Sequence, residues 1–419
     1  MTVSCVIGVR DRGMRVSVAF ALYLFNVLLF ARPVFAQGGL SLDEVLERAR
    51  ARAPEVVTAF ARVEEARARL LGASVRFRSN PVVETDLGPR NGTGNGRWDL
   101  SLGLGQTFET GGQRAARVAA ATADVAHAAA SADEIARAVT RDVASAFVRA
   151  QAAGERVRLL VAARTLAAEL RAASERRYAL GDIAAIDLNL TRIAAARAEA
   201  AVFQAEAQQM DALRPLRIAL GLAAEAPVVL AGSLARAPAP RATLVAAIDL
   251  TPTIRATTAE IAEADAAVRL GNAVRHPDIG ARMGVRREGN DRIVSGGVSF
   301  ALPVFERGQA TVAEAEARRR RLTLERDATR RVLELEVAAG LDAFERRRQA
   351  AEAIGQAAIT AADDNETLAT RSLDAGEISL MSVLLIRQDI TATRLAYVDA
   401  LAEAALASID VDATAGVLR

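Results

Sequence analysis

The chain carries a long internal copy, and this limits its possible folds more than any other feature. Asn80-Pro81 opens an alternating apolar and polar run, a glycine-rich break and a second alternating run follow, and the unit closes at Gly112-Gln113. The same order returns from His276-Pro277 to Gly308-Gln309, with both ends displaced by the same offset. Each copy then enters a very long Ala- and Arg-rich stretch. Both copies must build the same supersecondary unit, so the repeat sets the architecture before local propensity does.

The alternating runs have strand period. Val83, Thr85 and Leu87 share one face and Glu84 and Asp86 the other; in the return run Trp98, Leu100, Leu102 and Leu104 oppose Asp99, Ser101, Gly103 and Gly105. Residues 88–96 between them form a loop. In the second copy Ile279, Ala281, Met283 and Val285 oppose Asp278, Gly280, Arg282 and Gly284; residues 287–291 form a shorter loop. A half-buried soluble sheet gives the same alternation. An unbroken apolar face, a polar face of tiny or charged residues, and the single Trp98 at the loop end favour strands that face lipid.

The long stretches predict helices. From Gln113 to Leu180 there is no proline and one glycine, Gly154. At 1.5 Å per residue such a run extends roughly 100 Å, far beyond an ordinary globular helix. Arg177-Tyr178-Ala179-Leu180-Gly181-Asp182 stops it, and residues 183–220 return as an antiparallel helix. Gln309 to Ala375 repeats the pattern as one equally long helix, Gly376-Glu377 stops it, and residues 378–410 return. Each copy is preceded by a broken helix; in the first, Ser41 is the N-cap, Glu44 completes a capping box, and Pro54 restarts the helix.

Composition agrees with long packed helices. Only 4% of the 419 residues are aromatic, and 25% are charged with a net charge of +2. Alanine supplies much of the apolar content, which suits close helix packing and not a bulky globular core. The arginine excess is spread along helices, so no nucleic-acid surface is expected; Arg318–Arg321 and Arg346–Arg348 are expected to be solvated helix faces.

The first residues predict export. Arg10, Arg12 and Arg15 precede the apolar run Val16–Phe30, and Val34-Phe35-Ala36 forms a small-residue cleavage site, so residues 1–36 are expected to be a signal peptide. The only cysteine, Cys5, lies within it. No later stretch approaches the roughly 18 apolar residues of a membrane-spanning helix, so membrane entry requires strands. Four strands leave two bare edges, which hydrocarbon does not tolerate; the chain must associate with copies of itself, eight, twelve or more strands remaining open.

These residues resemble the TolC-like outer-membrane efflux family. The resemblance rests on Ser41-Leu42-Asp43-Glu44 to Pro54, on Asn80-Pro81, and on Phe108-Glu109-Thr110-Gly111-Gly112-Gln113-Arg114 with its partner Pro303-Val304-Phe305-Glu306-Arg307-Gly308-Gln309. Arg177 to Asp182 and Gly376-Glu377-Ile378-Ser379 complete it. The short chain and the Glu-Thr-Gly-Gly-Gln-Arg turn look most like the heavy-metal (cobalt-zinc-cadmium type) efflux branch. The resemblance implies a mainly α fold with β: a duplicated helix-strand-strand-helix-helix unit, and a homotrimer with a 12-stranded outer-membrane β-barrel on a long periplasmic α-helical barrel. The first repeat is expected over residues 37–232, with strands at about 81–88 and 97–108 and helices at about 113–180 and 183–220. The second is expected over residues 233–419, with strands at about 277–287 and 292–302 and helices at about 309–375 and 378–410.

The implied function is a passive exit duct of a tripartite efflux system of the resistance-nodulation-division type, with heavy-metal cations as the expected cargo. The alternatives are a duct for drugs or for type I protein secretion and, below these, a periplasmic coiled-coil scaffold with no pore. Implied partners are a periplasmic membrane-fusion adaptor, an inner-membrane efflux pump and outer-membrane lipid. The adaptor would dock at the tips, at Gly181, Asp182, Gly376, Glu377 and Ser379. Arg177, Tyr178 and Asp187 would form an entrance gate, and Trp98 part of a membrane girdle. Relatives constrict the tip with carboxylates; Asp187 matches one, whereas Ser382 and Leu385 hold the second-copy positions, so the expectation is a single acidic ring. The plainer reading of Asp187 is a carboxylate favoured at a helix start.

No enzyme activity and no cofactor are expected. The chain has no nucleophile motif and no phosphate loop ahead of a helix. His127 and His276 are its only histidines and stand in no ligand-spaced cluster, so no metal site is predicted. His127 reads as an exposed helix position, and no histidine is paired with a carboxylate in a recognisable catalytic frame.

Overall fold

A computed structural model describes residues 39–89, 98–288 and 291–418. The expected signal peptide and the loop glycines Gly92, Gly94 and Gly96 lie outside the described residues. In chain order the elements are α1 (Leu42–Arg52), α2 (Pro54–Ser74), β1 (Val82–Pro89), β2 (Trp98–Phe108), α3 (Gln113–Ala179) and α4 (Ala185–Leu220). The second copy supplies α5 (Arg241–Ala247), a 3-10 turn (Ile248–Leu250), α6 (Pro252–Ala273), β3 (Ile279–Glu288), β4 (Asp291–Phe300) and α7 (Gln309–Ala353). A π-helical turn (Ile354–Ile359), α8 (Thr360–Asp374) and α9 (Leu380–Thr414) end the chain. No described helix is long and apolar enough to cross a membrane.

Local chemistry explains the boundaries. At the start of α1 the Glu44 backbone N–H donates to Ser41 Oγ at 3.4 Å, and the Ser41 N–H donates to Glu44 Oε2 at 3.0 Å, which closes the capping box. Pro54 and Pro252 each stand in the first turn of a helix, where a missing N–H costs nothing. The Gly-Gln pair that closes each repeat has a defined task. Gly112 and Gly308 take φ of 77° and 73°, a region that favours glycine. The following glutamine folds back over this turn: Gln113 Oε1 accepts from the Gly111 N–H at 2.6 Å, and Gln309 Oε1 accepts from the Arg307 N–H at 2.7 Å. Strand thus passes to helix with the turn amide satisfied.

Three layers stack end to end, each four members wide. The sheet runs β1-β2-β3-β4, antiparallel throughout. Beneath it α2, α3, α6 and α7 pack side by side in that order. Further out the order is α4, α3, α9, then α7 with α8. At 67 residues, α3 spans about 100 Å and links all the helical layers. The main core forms where α1, α3, α4 and α9 meet, around Leu46, Phe147, Leu216, Leu220 and Ile409. A parallel bridge from Leu40 to Leu230 closes its outer side. Every layer ends in open edges, and apolar side chains stand exposed along them: Ile186, Ile193, Phe203, Met210 and Ile218 on α4, and Leu324, Val332 and Leu335 on α7.

Three sequence expectations are corrected. The second long helix is not continuous, because the π-turn at Ile354–Ile359 interrupts it. Buried Val337, Phe344 and Ala351 recur every seven residues, and the pattern resumes only at Ala362 and Ala369, so extra residues must be absorbed between them. His127 is not an exposed position; it is half-buried, with Nδ1 2.8 Å from Glu263 Oε2. The Arg318–Arg321 run is not simply solvated: Arg318 reaches Glu260 at 3.1 Å and Glu263 at 3.4 Å, and Arg319 reaches Asp265 at 3.0 Å. Pattern reading along one helix could not see the acidic face of α6 that these arginines meet.

Candidate pore wall and tip turns

The sheet is two-faced in the way a barrel wall requires. Register places Val83 beside Leu104, Leu104 beside Met283, Thr85 beside Leu102, Leu102 beside Val285, and Val285 beside Val294. All four strands therefore contribute to one apolar face, which lies exposed on the single chain. The opposite face carries Glu84, Asp86, Ser101, Arg282, Arg286 and Ser295 among glycines. There Ser101 Oγ donates to Asp86 Oδ2 at 2.8 Å, and Arg282 Nε lies 4.0 Å from Glu84 Oε2. Small side chains between these charges keep that face open. Trp98 stands at the hairpin end of the apolar face, 59% exposed. At the helix end Phe108 meets Phe77 edge-on, with ring centroids 5.8 Å apart.

The strand-to-helix junction is held by polar contacts that cross from one copy to the other. Buried Gln113 donates through Nε2 to the His276 carbonyl at 2.9 Å and to Asp278 Oδ1 at 3.1 Å. Thr110 Oγ1 donates to the Pro277 carbonyl at 2.7 Å, and Arg117 pairs with Glu109 largely out of water. Gly111 is needed beside them, since a β-carbon there would fall 2.2 Å from His276 Cβ.

At the far end the two tips are built alike. Gly181 has φ of 79°, its N–H donates to the Tyr178 carbonyl at 3.0 Å, and the Asp182 N–H donates to the Arg177 carbonyl at 2.9 Å. Gly376, with φ of 76°, repeats this: its N–H donates to the Leu373 carbonyl at 3.1 Å, and the Glu377 N–H to the Ser372 carbonyl at 2.8 Å. Both are helix stops that reuse otherwise orphaned carbonyls. The return helices then differ. Ser379 caps α9 by accepting from the Ser382 N–H at 3.1 Å, whereas Ala184 offers α4 no side-chain cap.

The sequence-predicted tip residues cluster as two groups at one end of the molecule. Arg177 lies 3.7 Å from Asp182, both exposed, and Tyr178 is 46% exposed beside them. Glu377 accepts from Ser372 Oγ at 3.0 Å. Asp187 is half-exposed in the first turn of α4, where the helix dipole favours a carboxylate. Arg387, which sequence reasoning missed, ties the two hairpins by donating to the Leu166 carbonyl at 3.2 Å. Arg394, also missed, holds Asp363 at 2.7 Å and Glu366 at 2.6 Å; its hydrogen bond to Asp363 raises its pKa further, against a smaller effect of burial. Neither stands in a motif, and only the packing of α9 on α3 and α8 reveals them.

Residues 45–222 match the outer membrane efflux protein family. Over 313 residues the chain is 26% identical to the cobalt-zinc-cadmium resistance protein CzcC of Cupriavidus metallidurans, covering 74% of this chain and 75% of the relative. Its fold is that of solved outer-membrane channels. CusC superposes with a TM-score of 0.74 at 17% identity, covering 92% of this chain and 95% of CusC. VceC of Vibrio cholerae gives 0.71 at 19% identity, covering 90% and 96%. The CmeC channel of Campylobacter jejuni gives 0.72 at 17%, covering 90% and 85%. The family match and the shared fold place the chain in the outer membrane, with its helical part in the periplasm.

Proposed function

We propose that three copies of this chain form the exit duct of a tripartite efflux system of the resistance-nodulation-division type, and that its cargo is heavy-metal cations. The observation that carries the duct is the set of open edges on three stacked layers. A sheet with bare edges is not stable in hydrocarbon, and joining β4 of one copy to β1 of the next satisfies every strand. The same rotation brings the exposed apolar residues of α2 and α4 at one side of the copy against the α7 and α8 side of its neighbour, and closed cyclic symmetry is the usual solution for such head-to-tail contacts. The duct is passive and does no chemistry on its cargo.

The metal assignment rests on the likeness to CzcC. The tips at Gly181, Asp182, Gly376, Glu377 and Ser379 dock a periplasmic adaptor that connects to an inner-membrane pump. Asp187, aided by Arg177 and Tyr178, narrows the entrance, and Trp98 belongs to the outer aromatic girdle. Deleting the gene and restoring it on a plasmid tests the cargo. Growth limits for zinc, cobalt and cadmium should fall on deletion and recover on complementation. Unchanged metal tolerance with increased sensitivity to organic toxicants would overturn the metal assignment and leave a drug duct.

A further inference from the structure

Through the middle of the sheet the polar face keeps one sign of charge to each strand. There β1 carries Glu84 and Asp86, and β3 carries Arg282 and Arg286. Between them β2 offers Ser101, Gly103 and Gly105, so the acidic and basic columns stand two strands apart, about 10 Å. Asp86 and Arg286 are level with each other on either side of Ser101, and an open trough of about 290 Å³ lies between the columns. The ion pairs here are loose. Arg282 and Glu84 are both more than half exposed at 4.0 Å, and Arg286, also more than half exposed, meets Glu288 at 3.2 Å. Pairs this wet hold each other weakly, so the charges remain able to exchange partners with ions in the trough.

The glycines around these charges have no local reason to be glycine. A β-carbon at Gly297 would meet nothing within 4 Å, and one at Gly103 or Gly105 would meet only ordinary contacts of 3.8 Å or longer. None of the three has a positive φ. Glycine inside a strand weakens it, since it adds backbone entropy and packs nothing. Their shared effect is on the space above the sheet. Gly103 is the register partner of Glu84, and Gly105 and Gly297 flank Arg282 on its two sides, so the floor next to both charges is bare.

In a barrel closed by three copies, β1 and β3 are alternate strands, so the wall carries columns of alternating sign, two from each copy. The field of a charge in physiological salt falls off over about 8 Å. That is close to the column spacing, so each column acts on the ions beside it and the two signs do not average out across the lumen. We propose that cations pass the barrel wall along Glu84 and Asp86 and anions along Arg282 and Arg286, so that a cation leaves together with its counter-ions. The bare glycine floor keeps the two lanes open side by side. The assignment rests on the duct reading, which makes this face the lumen.

The test uses full trimers in planar bilayers with a potassium chloride gradient, and the reversal potential gives the ratio of cation to anion permeability. Asp187→Ala trimers serve as the baseline, so that a carboxylate at the tip does not set the ratio. Adding E84Q/D86N should lower the ratio about twofold or more at about 0.1 M salt, and adding R282Q/R286Q should raise it by a similar factor. All four changes together should return the ratio to the baseline, and every shift should shrink at about 1 M salt. If a double variant gives no heat-resistant trimer, Glu84→Gln and Arg282→Gln carry the same test with smaller shifts of the same sign. Unchanged ratios in assembled, conducting trimers overturn the lanes and leave these charges as ties between strands. Shifts of one sign from both pairs overturn them as well. Wild-type trimers that assemble but conduct nothing remove instead the duct reading on which the lanes depend.

Discussion

Gly355 lies under the ring of Tyr397: a β-carbon at position 355 would come within 2.8 Å of Cε2 and 3.0 Å of the hydroxyl oxygen. The glycine sits inside the π-turn, where the side-chain phase of α7 gives way to that of α8. A π-turn adds a residue to one helical turn without ending the helix. The ring of α9 fills the space that a side chain at 355 would occupy. In Gly355→Ala the ring must move, and overpacking of this kind costs about 1–3 kcal/mol. Thermal melting in detergent should show the loss. Combining Gly355→Ala with Tyr397→Leu should recover part of it; no recovery would mean that the ring contact is not what position 355 protects.

Two adjacent glycines make a second comparison. Gly111→Ala forces a β-carbon against His276 Cβ, an atom that cannot swing aside, whereas Gly112→Ala meets no neighbour and strains only a positive φ of 77°. The first should cost about 2 kcal/mol or more and the second about 1 kcal/mol. The yield of folded trimer in the membrane should follow that order, and a larger defect for Gly112→Ala would contradict the packing argument.

Assembly through the open edges is tested at Phe203, which is 60% exposed on the single chain. Phe203→Glu places a charge in the seam between α4 and the neighbouring copy. Trimers resistant to heat on gels should disappear, while Glu155→Gln, a change on the exposed surface of the central helix α3 whose Arg158 partner is a surface contact, should leave them intact. Persistence of the Phe203→Glu trimer would place the seam elsewhere.

Asp187 is tested electrically. If its carboxylates line the entrance, Asp187→Ala should lower cation preference in single-channel recordings and relieve block by multivalent cations. Unchanged currents with a slightly lower melting point would leave Asp187 as a helix-start carboxylate worth about 0.3–1 kcal/mol.

Glu263 bridges three helices, since Oε2 meets His127 of α3 and Oε1 meets Arg318 of α7. The hydrogen bond from Arg318 to Glu260 and the nearby Glu263 hold the guanidinium pKa above its ordinary value. Because Glu263 contacts both neighbouring helices, Glu263→Ala should destabilise by more than His127→Ala, by about 1 kcal/mol against roughly half that, since Arg318 is partly open to water. A double-mutant cycle between positions 127 and 263 should show coupling, and strict additivity would dissolve the pair.

Much of the fold could be read from the sequence because its signals are local and doubled. Pro54, Ser41, Gly112 and Gly181 each mark a boundary by their own backbone chemistry, and the second copy repeats most of these marks. Strand faces were legible from period alone, since alternation assigns Leu102 and Gly103 to opposite sides whatever the sheet packs against. What escaped depends on neighbours. The π-turn shows in the sequence only as Gly355, which reads as an ordinary helical glycine until Tyr397 is set against it. His127 looks exposed until α6 brings Glu263 to it, and Arg387 is one arginine among many until α3 presents the Leu166 carbonyl. The tip turns were legible as turns, while their assignment to an entrance came from family likeness.

The open edges decide how a defect in one copy spreads to its partners. A chain with a broken seam is left out of the trimer and leaves intact chains to assemble without it. A chain altered only at its tip joins freely, so with equal amounts of both chains only about one trimer in eight is wholly intact. Tip lesions should accordingly be dominant in a cell that makes both chains, and seam lesions recessive.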